Sequence, residues 1–319
     1  MSESPVIAID LGGTKIRAVV VNAAGEIIGE DVRPTEGGEG QSVVIGRMVD
    51  SARAAVAVSG VPFSSLAAVG VTAPGTIDFD RGIIYQAPNL RGWDAVPLAE
   101  RLRERLELPT ILENDANAAA YGEWQHGAGQ GTRHMVYLTV STGIGGGLIL
   151  NGQLYRGADG AAGELGHVTV DESGPPHNCG MIGCIEVMAS GTAIARMAHE
   201  AVAAGRSEAL AHAAVSGELS AHEVDQAAAA GDPVAQEILA RAAHYLGVGL
   251  AGYVNIFNPQ TIVVGGGVTR IGARFLSPAF ELARQRAFHL PASTVRFAVA
   301  ALEGRAEVLG VAALARESA

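Results

Sequence analysis

Two near-continuous apolar runs, Val6 to Asp10 and Met135 to Val140, each stop at a glycine-rich turn and resume as a second apolar stretch. Unbroken apolar runs of this length between turn signals are the pattern of strands buried on both faces. The first copy reads as strand, the turn Gly12, Gly13, Thr14 and Lys15, strand Ile16 to Val21, turn Asn22 to Gly25, and a short strand Ile27 to Glu30. The second reads as strand, a turn from Ser141 to Gly147, strand Leu148 to Leu150, turn Asn151-Gly152, and a strand beginning near Gln153. Aligned on their glycines, the copies put Asp10 opposite Ser141 and Gly12 opposite Gly143. The repetition predicts an internal duplication: two lobes, each presenting a glycine-rich turn to the groove between them.

Between the copies, apolar residues at Val44, Met48, Ala52 and Ala55 have the period of a helix over Ser42 to Val58 with one buried face. A buried strand Val69 to Thr72 runs into the turn Ala73-Pro74-Gly75, Asp78 to Gly82 is another turn, and Ala87 to Trp93 is a loop rich in pocket-lining groups. A helix Pro97 to Leu106 leads to a strand Thr110 to Leu112 and then to Glu113-Asn114-Asp115-Ala116-Asn117, where an Ala-rich helix, Ala116 to Trp124, begins. Further on, Ile185 to Ala204 and Asp225 to Val254 read as helices, with Leu210 to Ala230 helical in pieces. Thr261 to Val264 is a buried strand entering a third glycine turn, Gly265, Gly266 and Gly267. A final strand Thr294 to Ala298 and a closing helix Glu303 to Ala315 follow. This alternation means α/β. The expected division is a small lobe, 1–114, on which the closing helix 304–319 is expected to pack, and a large lobe, 115–303, carrying a zinc-binding loop at 164–186.

Composition narrows the classes. The 319 residues are 48% hydrophobic and 17% charged, enough to bury a core without disulfide staples. The first thirty residues lack the pattern of a signal peptide, and no apolar run reaches the roughly 18 residues of a membrane span. A cytoplasmic protein without a membrane partner is expected. The net charge of −11 opposes nucleic-acid binding, and the one basic cluster, Arg101 to Arg105, alternates with Leu102 and Leu106 as the solvated side of a helix does. The turn at Gly12 to Lys15 is neither a Walker A loop nor a dinucleotide fingerprint, but a glycine hairpin can still offer phosphate a row of backbone N–H groups. Lys15 is the single lysine against 21 arginines. A compact ammonium kept at that one turn is either functional or a chance retention.

Two chemistries stand out. His167, His177, Cys179 and Cys184, at spacings of ten, two and five, form the pattern Hx9HxCx4C. Two nitrogens and two thiolates make a tetrahedral zinc set with no position left for water, hence a structural ion; the alternative is a pair of buried cysteines beside incidental histidines. The second chemistry is carboxylate. Asp115 leaves a buried strand beside Asn114, where functional residues of α/β proteins gather, and is a candidate general base; either residue could instead be a plain helix N-cap. Glu164 and Glu186 bracket the zinc loop, so an ion there would fix two carboxylates and the His167 ring relative to one another, an arrangement suited to polyol hydroxyls. Glu186 could also be a helix-start carboxylate favoured by the helix dipole.

Taken together, DLGGTKIRA, ENDANAAAYGE, VSTGIGGG and GELGH followed by CGxxGCxE resemble the ROK family of sugar kinases and sugar-responsive repressors. The likeness runs over nearly the whole chain. It implies an actin-like ATPase (ribonuclease H-like) fold, with ATP between the lobes, its phosphates near Gly12, Gly13, Thr14, Lys15, Thr142 and Gly143, and its adenosine near Gly265, Gly266 and Gly267. It makes Asp115 the catalytic base, adds Asn89, Asn114, Glu164, His167 and Glu186 to Asp115 as the sugar-binding set, and gives Asp10 a part in holding Mg2+. In the family the zinc-bound histidine, here His167, faces the metal with one nitrogen and sugar with the other. This chain departs at one place: the family pattern CxCGxxGC has its first cysteine replaced by His177, giving His2Cys2. The resemblance implies ATP-dependent phosphorylation of a hexose at its 6-hydroxyl, with glucose favoured because APNLRGW and Val96-Pro97-Leu98 resemble the glucokinase members. Mannose, fructose and N-acetylated hexosamines remain alternatives, as does polyphosphate as donor. Relatives are commonly dimers or tetramers, so a homo-oligomer is expected. A repressor is disfavoured because only five residues precede Val6.

Overall fold

The computed structural model describes residues 4–87, 90 and 92–319. In chain order its strands are β1 (Val6–Leu11), β2 (Lys15–Val21), β3 (Ile27–Pro34), β4 (Val69–Ala73), β5 (Thr76–Asp78), β6 (Ile83–Gln86), β7 (Asp94–Val96), β8 (Thr110–Asn114), β9 (Met135–Val140), β10 (Ile144–Leu150), β11 (Gln153–Leu154), β12 (Thr261–Gly265) and β13 (Arg296–Val299). Two five-stranded sheets have the same topology, β3-β2-β1-β4-β8 and β11-β10-β9-β12-β13. In each, two successive antiparallel hairpins are followed by two strands that add in parallel. The duplication is therefore a property of the whole sheet, crossovers included.

Its register differs from the glycine alignment. The last paired residues of the two first strands are Leu11, opposite Ile16, and Val140, opposite Ile144. Asp10 is thus equivalent to Thr139, not Ser141. The offset arose because Gly145, Gly146 and Gly147 are not turn residues: they lie within β10, paired with Thr139, Leu138 and Tyr137. Their smallness serves packing. A Cβ at Gly147 would stand 2.5 Å from Ala120 Cβ, and one at Gly146 would stand 2.8 Å from the Gly163 carbonyl.

Alternation along the strands builds three cores. Ile7, Ile9 and Leu11 face a core with helices Gln41–Ser59 and Leu98–Leu106. Val136, Leu138 and Val140 face another with helices Gly191–Ala203, Pro233–Phe257 and Ala273–Arg286. The opposite faces of the same strands, Val6 and Ala8 with Met135 and Tyr137, meet in a central core, closed by helices Asp115–His126 and Ala306–Glu317. These two helices each follow the last parallel strand of a first-sheet or second-sheet unit, β8 and β13, and pack on each other. The helix Ala306–Glu317 lies against β1 and β4, and Asp115–His126 against β9 and β10.

Several elements depart from the sequence reading. β3 runs on to Pro34 because Lys15 to Val21 pairs along its full length. The stretch read as turns and loop after Gly75 contains a small antiparallel sheet, β5-β6-β7, whose strands are too short to show a period. The helix Ala273–Arg286 carries Pro278 inside it and buries Phe275, Leu276, Ala279 and Ala283. No helix among the described residues is long and apolar enough to cross a membrane.

Candidate active site

The strand β8 delivers Asn114 and Asp115 to the groove between the sheets. Asn114 is the N-cap of the following helix: its Oδ1 accepts from the backbone N–H of Ala116 at 2.9 Å and of Asn117 at 3.2 Å. That satisfies two of the donors a helix start leaves open and leaves the Asn114 amide NH2 for a ligand. Asp115 is the first helical residue, its Oδ1 accepting from Ala116 N–H at 2.8 Å. Burial pushes its carboxyl up to about 6, and the nearby Asp10 and Glu307 carboxylates push in the same direction. Asp10 is likewise raised by burial, against a 2.8 Å bond from the Thr72 hydroxyl and the charges of Lys15 and Arg17. Glu307 is raised by burial and by Asp10. Asp115 and Glu307 thus line one desolvated floor, with the buried Asp10 carboxylate near enough to raise both. Glu307 escaped the sequence reading, although the duplication held the signal: it stands in the first turn of the helix equivalent to Asp115–His126.

Glu113 takes a different course. Only 2% exposed, it is held by Arg156 at 2.7 and 2.8 Å and by the Asn117 amide at 3.1 Å. Of the acidic cluster, then, Asp115 faces the groove while Glu113 is neutralised beneath it. Arg156 also lies over the Phe79 ring, 4.8 Å from its centroid.

A cavity of about 920 Å3 opens here, and Asn114, Asp115, Glu164, His167, Glu186 and Gly143 all line it. Asn89 lies outside the described residues. A smaller cavity of about 380 Å3 adjoins, sharing Ser141 and Thr142 with the first and lined by Gly191, Thr192, Leu219 and Gly267. Thr192 ties the two regions together, its hydroxyl donating to the Thr142 carbonyl at 2.8 Å. Sequence reasoning missed this second wall, because Gly191, Thr192 and Leu219 belong to no glycine-rich run. Gly191 is required by approach: an added Cβ would stand 2.8 Å from the Ser141 carbonyl. Gly12, Gly13, Thr14, Lys15, Asp10, Gly265 and Gly266 line neither cavity. Gly266 is instead explained by its φ of 90° and by the Val140 carbonyl, 2.4 Å from where a Cβ would sit.

The loop over 164–186 forms the far wall. Gly166 lies so close to β10 that a Cβ would stand 2.0 Å from the Ile144 carbonyl, and the Tyr253 hydroxyl donates to the Leu165 carbonyl from below. Bridges Thr169 to Cys184 and Pro176 to Ile182 fold the rest into a small hairpin. The donor atoms of His167, His177, Cys179 and Cys184 lie within 4.8 Å of one another. His177 Nδ1 stands 3.0 Å from Cys179 Sγ and 3.5 Å from Cys184 Sγ; a tetrahedron with zinc–ligand bonds of about 2.0–2.3 Å has edges of about 3.3–3.8 Å. His167 Nδ1 is buried with no hydrogen-bond partner, while Nε2 faces Glu164 Oε2 at 3.6 Å. The 3.5 Å separation falls within that range and the 3.0 Å one below it; two imidazoles and two thiols, one ring nitrogen buried without a partner, are a donor set that could hold a metal ion.

Glu186 stands at the junction. Its Oε2 accepts from the Ile144 N–H at 2.6 Å, and its Oε1 lies 3.2 Å from His177 Nε2. A Cβ at Gly143 would meet Glu186 Oε2 at 2.5 Å, so a side chain there would displace that carboxylate.

Duplicated sheets flanking a groove with a buried carboxylate on its floor define a two-lobed phosphotransferase scaffold of the actin-like ATPase class. Within that class the chain belongs to the ROK family, whose model matches residues 6–318. It is 39% identical to a glucokinase of Halalkalibacterium halodurans, over 97% of this chain and 94% of that one. Among solved structures, a ROK hexokinase from Thermus thermophilus superposes with a TM-score of 0.83 at 36% identity, covering 98% of both chains. A ROK family glucokinase from Streptomyces griseus, solved with glucose and AMPPNP, superposes with a TM-score of 0.81 at 34% identity, over 98% of this chain and 99% of that one.

Proposed function

We propose that this protein is a glucokinase, transferring the γ-phosphoryl group of ATP to the 6-hydroxyl of glucose. The observation that carries the reading is Asp115: a buried carboxylate with a pKa of about 6, lining a cavity of about 920 Å3 that adjoins a second cavity through Ser141 and Thr142. The sugar kinases named above, similar over nearly the whole chain, support it.

The roles follow from the chemistry each group can perform. Glu164, His167, Glu186 and the Asn114 amide offer acceptors and donors to several hydroxyls of one hexose. Asp115 accepts the proton of the sugar 6-hydroxyl as the hydroxyl oxygen bonds to the γ-phosphorus and the bond from that phosphorus to the β,γ-bridging oxygen breaks, releasing ADP; with a pKa near 6 Asp115 is ionised at neutral pH yet basic enough to take a proton in the transition state. The smaller cavity, bounded by Gly191, Thr192, Leu219 and Gly267, receives the adenosine. Backbone N–H groups of Thr142 and Gly143 face the phosphates, and closure of the lobes, 1–114 with 304–319 over 115–303, brings Gly12, Gly13, Thr14 and Lys15 onto them. Closure also excludes water, the competing acceptor.

Asp10 is the residue that would hold Mg2+, and the mutual repulsion of Asp10, Asp115 and Glu307 fits a site that receives a cation; the ion supplies charge neutralisation on the phosphates. His167, His177, Cys179 and Cys184 would hold Zn2+, which supplies rigidity to the pocket wall and touches no phosphate. Phosphorus NMR of the product of ATP and glucose tests the assignment: glucose 6-phosphate is expected, and phosphate ester at any other hydroxyl refutes the placement of Asp115.

A further inference from the structure

His177 faces two ways. Its Nδ1 lies 3.0 and 3.5 Å from the thiols of Cys179 and Cys184, and its Nε2 lies 3.2 Å from Glu186 Oε1. Glu186 also lines the large cavity and takes its other oxygen's bond from Ile144 N–H at 2.6 Å. We propose that His177 is a positioning residue for the sugar pocket: with Nδ1 committed to the metal, its Nε2–H is obliged to donate to Glu186 and fixes that carboxylate for the sugar. This rests on the reading of the large cavity as the sugar site and goes beyond it, by assigning a second histidine to the link between metal and pocket.

A neutral imidazole has one donor and one acceptor nitrogen, so coordination through Nδ1 leaves the proton on Nε2. An N–H at that position within reach of a carboxylate makes a charge-assisted bond, stronger than a neutral one, and the partner of a ligating histidine directs the ring as the ring directs it. Each Glu186 oxygen then receives one protein donor and keeps one lone pair toward the cavity. Carboxylate rotation about the Cγ–Cδ bond would break the Ile144 bond and the His177 bond together, so the two donors hold it from both ends. A cysteine at position 177 ligates with its only polar atom and gives Glu186 nothing. His167 reaches the cavity from the same four-residue cluster, stacked on His177 at 5.6 Å between ring centroids, so the metal cluster touches the sugar pocket by two separate rings.

His177→Cys separates the two tasks, because it restores a full ligand set while deleting the second nitrogen. With zinc content unchanged at one per chain, the variant is expected to bind glucose about ten-fold or more weakly, the size of one lost bond to a charged group. The loss falls on KM for sugar, with KM for ATP as in the parent. A variant with full zinc and parental glucose affinity overturns the proposal. Should His177→Cys not fold, nitrogen-15 NMR of the zinc-loaded parent decides: the proposal requires His177 as the Nε2–H tautomer, with that proton shifted by Glu186→Gln, and an Nδ1–H tautomer or an unmoved proton overturns it. This signal is read without any sugar. Failure of ATP and glucose to react would therefore count against the kinase reading alone.

Discussion

Gly122 and Gly310 face each other across one helix crossing: a Cβ on Gly122 would stand 2.1 Å from the Ala306 carbonyl, and one on Gly310 would stand 1.8 Å from the Ala118 carbonyl and 2.7 Å from Gly122 N. Each glycine lets its helix rest on the backbone of the other. Because the helices Asp115–His126 and Ala306–Glu317 lie on different sheets, this contact is where the two halves of the duplication meet. The same helices start at Asp115 and beside Glu307, so their spacing also sets the spacing of those carboxylates. Gly310→Ala is expected to lower stability by about 1–3 kcal/mol, as overpacking does, and to lower kcat as well. Urea denaturation and steady-state kinetics on one preparation check both, and a variant as stable as the parent would show that the helices part freely.

Asp115 carries a conflict between stability and activity. Its pKa rises from 3.8 to about 6 on folding, chiefly through burial. The folded chain therefore keeps a proton that the unfolded chain has lost between those values, and stability falls as pH rises through that window. Asp115→Asn removes the buried charge and should be more stable than the parent at pH 7–8, each pKa unit being about 1.4 kcal/mol, with the advantage gone below about pH 4. The same variant should lose about 10²–10⁴ in kcat. Thermal melts across pH, set beside turnover, test the two signs together.

The pH profile of the parent follows. A general base must be ionised, so kcat/KM should drop about ten-fold per pH unit below an inflection near 6. An acid limb that persists unchanged in a Glu307→Gln variant would show that Glu307 does not act on Asp115; the expected result is an inflection moved to lower pH.

Metal removal should discriminate between the two cavities. Of the four residues proposed to hold zinc, His167 lines the large cavity and His177 abuts it through Glu186, whereas none of the four lines the smaller one. Chelation should weaken glucose binding and leave ATP binding near its starting value. Conversely, Ala195→Phe, on the wall of the smaller cavity, should raise KM for ATP by about ten-fold or more while glucose still binds; a clash between one aromatic ring and a bound ring system costs at least one lost contact pocket. Calorimetric titration with each ligand checks both.

Much of this was legible in the chain because the signals were local. Buried strands announce themselves as apolar runs, and Val6–Leu11, Met135–Val140 and Thr261–Gly265 fall where the runs do. The His/Cys quartet was readable from residue type and spacing, and the structure gathers its donor atoms within 4.8 Å. What was illegible depended on contacts between distant residues. Gly145, Gly146 and Gly147 look like a phosphate turn until Ala120 and Gly163 are found against them. Glu307 reads as an ordinary helix-start carboxylate until Asp10 and Asp115 are seen beside it. The 3.2 Å approach of His177 Nε2 to Glu186 needs that carboxylate to have folded back over Gly143, a placement that no spacing encodes.

If Asp115 drives transfer from ATP to a hexose hydroxyl, a coupled assay of ADP release from parent and Asp115→Asn chains against glucose, mannose, fructose and N-acetylated hexosamines will show it. Turnover in the parent should be greatest with glucose, and the variant should lose at least about a hundred-fold with glucose still bound. Parental turnover by Asp115→Asn, or no ADP release with any hexose, would contradict that role for Asp115.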